Sequence, residues 1–167
     1  MAGTCGDCGL CCNLIGVESL NKPPRRWCSH FQRGLGCAIY EERPVDCRTF
    51  ICAYLTVDGL SEDWRPDRAG FLMWNDGAEG RLLVEVDPGR PFSWKREPYY
   101  SQLKAWSAPG PGGAAAIIVR SMGRVTVVMP EADIDLGPER QGGRVITGYR
   151  MENGRRRPFA EYAEPAA

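Results

Sequence analysis

The chain has 167 residues, of which 43% are hydrophobic and 25% are charged, as is usual for a globular protein of about one domain. Its 21 basic and 21 acidic residues cancel, so the overall charge favours neither a nucleic acid nor an anionic membrane as a partner. No apolar run approaches the ~20 residues of a membrane span, and the first residues have no secretory signal. We therefore expect a cytoplasmic protein, without a membrane partner, whose thiols stay reduced.

The elements predicted in chain order give an α+β fold. Residues 1–56 form a cysteine-rich metal-binding module of loops and short helices, rich in glycine and proline. Residues 57–163 form a small, mostly antiparallel sheet with one helix, packed on the module, and residues 164–167 form a disordered tail. The predicted hairpins pair 71–74 with 82–86, 116–120 with 124–129, and 145–151 with 155–159.

The one predicted helix begins at Pro98, because proline suits the first position of a helix. Tyr99, Leu103 and Trp106 are spaced so that they share one helical face. The proline- and glycine-rich residues 109–113 end it.

All eight cysteines lie in the first 52 residues, and this concentration is the main functional signal of the chain. A reducing compartment disfavours disulfides, and the adjacent Cys11 and Cys12 cannot pair without strain. Buried cysteines that serve only as small hydrophobic residues would not cluster in this way. We therefore predict that the thiols hold zinc or an iron–sulfur cluster. The predicted ligands are Cys5, Cys8, Cys11, Cys12, Cys28, Cys37, Cys47 and Cys52.

The spacing of the cysteines leaves the kind of centre open. Cys5-x-x-Cys8-x-x-Cys11 matches the three-cysteine arc of bacterial ferredoxins, in which a remote fourth ligand completes a [4Fe–4S] site. Adjacent side chains diverge, so Cys11 and Cys12 are expected to serve two sites or two irons of one cluster. Eight thiolates make two tetrahedral zinc sites. Alternatively, one cluster leaves the other cysteines around zinc or as structural thiols. His30 is a further candidate ligand, although eight thiols suffice for two sites.

The residues around Cys47 favour a turn that assembles the site. Pro44 cannot continue a helix begun before it, so the chain turns and brings Cys37 and Cys47 to one side, with Phe50 packed beneath. Four nearby arginines are candidates to stabilise negatively charged thiolates: Arg25, Arg26, Arg43 and Arg48.

These motifs together resemble a known bacterial family. The pattern C-x-I-Y-x-x-R-P-x-x-C-R-x-F, which starts at Cys37, and the arc that ends in Cys11-Cys12 are similar to the CxxCxxCC, or YkgJ-type, cysteine cluster family. That family is described as a zinc- or iron-chelating domain. The resemblance covers about residues 5–52 and implies that all eight cysteines bind metal, without choosing between zinc and iron.

The sequence thus predicts a metal-binding protein that holds an iron–sulfur centre or zinc, with a slight preference for iron because of the arc. One alternative is a redox or methyl-transfer enzyme that uses an iron–sulfur cluster, although no catalytic motif is found. Another is a zinc-stabilised adaptor that binds protein or nucleic acid. Arg155-Arg156-Arg157 is interpreted as a solvated strand end rather than a phosphate-binding site.

Overall fold

The computed structural model describes residues 5–77, 80–108 and 116–163. The predicted helix end at 109–113 and the predicted disordered tail lie outside these ranges. The predicted α+β class is confirmed, because short helices accompany one five-stranded and two two-stranded sheets. In the part of the chain described, no helix is long and apolar enough to cross a bilayer.

The cysteine segment contains only short elements, as its many turn-forming residues predict. A 3-10 helix spans the three residues Glu18–Leu20; the α-helices have four or five residues each, and the two strands have two residues each. In chain order they are α1 (Leu10–Leu14), β1 (Phe31–Gln32), β2 (Gly36–Cys37), α2 (Val45–Thr49) and α3 (Ala53–Thr56). The short helix α4 (Pro66–Ala69) then leads into the main sheet.

The main sheet has the strand order β3-β4-β5-β6-β7. The strands are β3 (Phe71–Asn75), β4 (Leu82–Val86), β5 (Ile117–Ser121), β6 (Arg124–Val128) and β7 (Asp133–Pro138). The first two predicted hairpins are confirmed as the antiparallel pairs β3–β4 and β5–β6. Strands β4 and β5 pair in parallel, which requires a long crossover connection, and this connection contains helix α5 (Tyr99–Trp106).

The third predicted hairpin is confirmed as a separate two-stranded sheet, which we call the ribbon. It pairs β8 (Val145–Glu152) with β9 (Arg155–Tyr162) in antiparallel register. Its turn residues, Asn153 and Gly154, have φ angles of 50° and 72°. Positive φ at both positions is what the type I′ turn of a two-residue hairpin requires, and asparagine followed by glycine is among the sequences that favour it most.

The two faces of the main sheet are covered by different parts of the chain. Phe71 and Ile117 on one face share a core with Leu103 of α5 and with Ala53 and Tyr54 of α3. On the opposite face, Leu10 and Leu14 of α1 pack on Leu72 of β3, while Val145 of the ribbon packs near Ile118 and Val127. Because α1 and α3 lie on opposite faces of β3, the cysteine segment wraps around this edge strand.

Candidate metal centre

The eight cysteines line two adjoining cavities beside strand β3. The larger cavity, of about 70 Å³, is lined by seven of them: Cys5, Cys8, Cys11, Cys12, Cys28, Cys37 and Cys47. The smaller, of about 20 Å³, is lined by Cys5, Cys8, Cys11 and Cys52. All eight are free, half-buried thiols. The structure therefore brings all the cysteines named from the sequence around one connected region and joins none of them in a disulfide.

The thiols are not drawn into a finished coordination shell. Among residues 5–77, 80–108 and 116–163, no group of three or more His, Cys, Asp or Glu side chains is arranged so that it could hold one metal ion. The donor chemistry does fit zinc and iron–sulfur clusters, because both are bound in proteins by cysteine thiolates. Metal binding by this region therefore stays a prediction.

Helix α1 gives the two adjacent cysteines different positions relative to the two cavities. Neighbouring residues of an α-helix point in directions about 100° apart, because one turn takes 3.6 residues. Cys11 lines both cavities, whereas Cys12 lines only the larger one. Before the helix, Gly6 has a φ of 48°, and the amide of Cys8 donates a hydrogen bond to the carbonyl of Cys5 at 2.9 Å. This tight turn places Cys5 and Cys8 beside Cys11.

The β1–β2 hairpin brings two more cysteines to the larger cavity. The amide of Cys28 donates to the carbonyl of Cys12 at 2.9 Å, which fixes the start of this hairpin beside α1. Gly36, directly before Cys37, has a φ of 91°, and a Cβ added there would lie 2.7 Å from the carbonyl oxygen of Gly6. Close backbone contact thus holds Cys37 next to the Cys5–Cys8 turn, and only glycine permits that contact.

This contact leads to a stability prediction. We expect Gly36→Ala to destabilise the protein by about 2 kcal/mol, because alanine must adopt a left-handed conformation and also displace the Gly6 backbone. Gly34→Ala is the matched control: Gly34 lies in the same hairpin with a φ of 78° and has no atom within 4 Å of the added Cβ. Urea unfolding should show a clearly smaller loss for Gly34→Ala. Equal losses would mean that the Gly36–Gly6 contact has no structural role.

The segment around Cys47 forms the outer wall of the larger cavity. Pro44 precedes α2, and Arg43 donates from Nε to the carbonyl of Tyr40 at 2.7 Å while its guanidinium stacks 3.6 Å from the Tyr40 ring centre. Burial raises the pKa of Cys47, and the charge of Arg43 opposes that rise. Phe50 lines the cavity and packs edge-on against Trp74 at 5.6 Å. The turn at Pro44 thus places Cys47 over a small aromatic core.

The thiol pKa values report a largely buried environment. Burial raises the pKa of Cys8 to about 12 and that of Cys52 to about 11, and it also raises the pKa of Cys5. Cys11 donates a hydrogen bond to Cys12, which raises the pKa of Cys11 and lowers that of Cys12. Any metal bound here must therefore displace protons from most of its ligands.

Lys22 is a buried residue of this region that the sequence analysis missed. Its side chain is enclosed, and Nζ donates to the carbonyl oxygens of Asn13 at 3.1 Å, of Pro23 at 3.2 Å and of Ile15. Burial lowers the pKa of Lys22, whereas nearby cysteines, Cys28 foremost, act in the opposite direction. A cation therefore lies close to the thiols of the larger cavity. One signal was available: only three of the 21 basic residues are lysines, so a lysine here departs from the arginine-rich composition.

Three of the four arginines named from the sequence do not line the sulfur region as expected. Arg25 donates from Nε (3.0 Å) and Nη2 (2.7 Å) to Oε1 of Glu85 on strand β4, and from Nη2 to Glu139 at 3.1 Å. The expectation that Arg25 stabilises thiolates is therefore wrong, because these two carboxylates occupy its guanidinium. Arg26 and Arg48 are solvent-exposed and, unlike Arg43, do not line the cavity.

His30 lies where a further ligand could reach the larger cavity. It is half-buried, lines that cavity, and accepts a hydrogen bond at its backbone carbonyl from the amide of Ala38 at 2.8 Å. Its backbone is thereby tied to the hairpin that carries Cys37. Whether its imidazole binds metal stays a prediction, as the sequence left it.

No protein-family model, curated protein or solved structure matches this chain. The resemblance to the CxxCxxCC family therefore stays a prediction drawn from residues 5–52.

Proposed function

We propose that this protein binds metal through two sets of four cysteines, as zinc or as an iron–sulfur centre. The division of the cavity walls is the observation that carries the proposal. Cys52 lines only the smaller cavity, where it joins the three cysteines of the arc. The four cysteines that line only the larger cavity make up the second set: Cys12, Cys28, Cys37 and Cys47.

The electrostatics near the larger cavity support this assignment. A divalent zinc ion with four thiolates has a net charge of about −2, and such a centre is stabilised by nearby donors and cations. Lys22 and Arg43 supply positive charge there. The nearby cysteines, Cys28 foremost, act to raise the pKa of Lys22 against the effect of burial, and the charge of Arg43 acts to lower the pKa of Cys47. Both cations are held by backbone carbonyls, so their positions do not depend on the thiols.

The spacing of the cysteines in the first set is compatible with either an iron–sulfur cluster or zinc. Three cysteines at two-residue intervals with a remote fourth are the ligand pattern of a [4Fe–4S] cluster, and four thiolates also suit zinc. The second set has no such arc, so zinc is the simpler occupant there.

Two single substitutions test the grouping. Cys52→Ser should abolish binding at the first set and Cys28→Ser at the second, so each variant should retain the metal of the other set. For zinc this means a fall from about two ions per chain to about one, measured by mass spectrometry of the metal content. Ser29→Ala, at an exposed neighbour of Cys28, is the control and should bind as much metal as the wild type. Loss of all metal in both cysteine variants would indicate a single shared centre, and no loss in either would contradict the proposal.

A further inference from the structure

The neutral overall charge of the chain conceals a strongly basic ribbon. Residues 144–162 contain five arginines and two glutamates, a net charge of +3, so the rest of the chain is acidic. The four arginines of its far end are Arg150, Arg155, Arg156 and Arg157. Every residue from 150 to 157 is exposed, whereas Val145 at the base is buried against the main sheet. The charge is therefore concentrated at the free end of a two-stranded element.

Pairing within the ribbon places like charges against each other. Arg150 lies directly opposite Arg157, and a like-charged cross-strand pair is destabilising. The opposing acids are weak partners, since Glu152 lies 3.9 Å from Arg150 and 3.8 Å from Arg157 in exposed surroundings. Glu161 is 3.8 Å from Arg150. The ribbon thus has unneutralised positive charge that nothing in its own fold requires.

Aromatic rings hold two of these arginines in place, one on each face of the ribbon. The guanidinium of Arg150 lies 4.4 Å from the Phe159 ring centre, and that of Arg156 lies 3.9 Å from the Tyr149 ring centre. A stacked guanidinium keeps its N–H edges free to donate to phosphate oxygens. Tyr149 is itself anchored, because its hydroxyl donates to Glu131 at 3.2 Å. The donors are therefore partly pre-organised.

The dimensions of the exposed end fit a DNA groove. Beyond Tyr149 the ribbon has three residue pairs, which at about 3.4 Å per residue extend about 10 Å. The major groove of B-DNA is about 8.5 Å deep and about 12 Å wide, and it admits a two-stranded ribbon. We propose that the end of the ribbon, residues 150–157, enters the major groove of duplex DNA and binds its phosphate backbone. This proposal is independent of the metal sites.

The test uses the metal-loaded protein and a fluorescein-labelled DNA duplex of mixed sequence, with anisotropy measured at about 50 and about 200 mM salt. Three to four phosphate contacts predict that affinity falls roughly 40- to 150-fold between these two concentrations. Arg155, Arg156 and Arg157 are replaced together by threonine, which favours strands. This triple variant should bind at least about tenfold more weakly, and the slope of log affinity against log salt concentration should lose the contribution of about three phosphate contacts. Met151→Lys, at an exposed position opposite Arg156, should strengthen binding.

A matched control distinguishes DNA binding by the ribbon from DNA binding by positive charge elsewhere on the surface. Replacing Arg33, Arg68 and Arg96, which are exposed outside the ribbon, by threonine changes the net charge equally and should leave the salt dependence unchanged. Double-stranded RNA should bind more weakly, because its major groove is too narrow for the ribbon. The proposal is overturned if the wild type does not bind the duplex at about 50 mM salt, if both triple variants lose affinity equally, or if anionic phospholipid vesicles bind more tightly than DNA.

Discussion

Removing metal from the native protein is expected to unfold residues 5–50 and to leave the main sheet folded. The buried hydrophobic side chains of this segment are Leu10, Leu14 and Val17, and each contributes only about 1.5–3 kcal/mol. Structural zinc contributes about 10–16 kcal/mol in small zinc-dependent folds, so the metal would dominate the stability of this segment. Hydrogen exchange read by mass spectrometry should therefore show that a strong chelator abolishes amide protection in residues 5–50.

Two internal references make this experiment decisive. Strands β4 to β6 should keep their amide protection. Val84, Val119 and Val127 belong to hydrophobic cores that have no cysteine among their buried residues. Helix α3 should also be retained in part, since Ala53 and Tyr54 are buried in the core of the sheet. Returning zinc should restore the lost protection. Unchanged exchange in residues 5–50 after complete metal removal would show that the thiols do not stabilise the fold.

Arg25→Ala is expected to destabilise the protein by about 3 kcal/mol, a value at the low end for a broken buried ion pair because Arg25 is partly exposed. The Glu85 side chain is only 6% exposed, against 35% for that of Arg25, and the substitution leaves this carboxylate buried without its cation. Arg25 also has a φ of 59°, a left-handed backbone conformation. Urea unfolding of the metal-loaded variant measures the effect.

The pKa of Glu85 determines how the stability of the same variant changes with pH. Burial raises the pKa of Glu85, and the charge of Arg25 opposes this rise. Without Arg25 the pKa of Glu85 rises further above its unfolded value, so the folded state holds a proton that the unfolded state has released. The stability of Arg25→Ala relative to the wild type should therefore fall as pH increases from about 5 to about 8.

Two further variants test whether the loss of stability in Arg25→Ala comes from the unpaired Glu85 carboxylate. Arg26→Ala alters an exposed neighbour and should change stability by less than about 0.5 kcal/mol. Adding Glu85→Gln to Arg25→Ala removes the buried charge and should recover much of the stability and most of the extra pH dependence. Equal losses of stability in Arg25→Ala and Arg26→Ala, or no gain of stability when Glu85→Gln is added, would show that the Arg25–Glu85 ion pair does not stabilise the contact between the cysteine segment and the sheet.

Local sequence signals predicted the elements whose geometry depends on neighbouring residues. Asn153-Gly154 predicted the ribbon, because few other residues accept positive φ at both turn positions. Met122 and Gly123 connect β5 and β6 in the same way, with φ angles of 54° and 69°. The face shared by Tyr99 and Leu103 predicted α5, and both residues are buried.

Contacts between distant residues could not be predicted from such signals. Strands β4 and β5 pair in parallel across a connection of about thirty residues, and no local pattern specifies that neighbour. Arg25 binds Glu85, 60 positions later, although it lies near the cysteines in sequence. The grouping of the thiols could likewise be predicted only in part. The adjacency of Cys11 and Cys12 indicated that their side chains point in different directions, but nothing in the sequence indicated that Cys52 lies with the three cysteines of the arc.

Metal binding by the cysteines can be measured on protein purified without oxygen, through its metal content, its visible absorption and its electron paramagnetic resonance spectrum. We expect either about two zinc ions per chain in a colourless sample, or iron and sulfide in a brown sample whose absorption bleaches on reduction. A folded protein that contains neither metal, takes up no added zinc and presents eight freely reactive thiols would contradict this expectation.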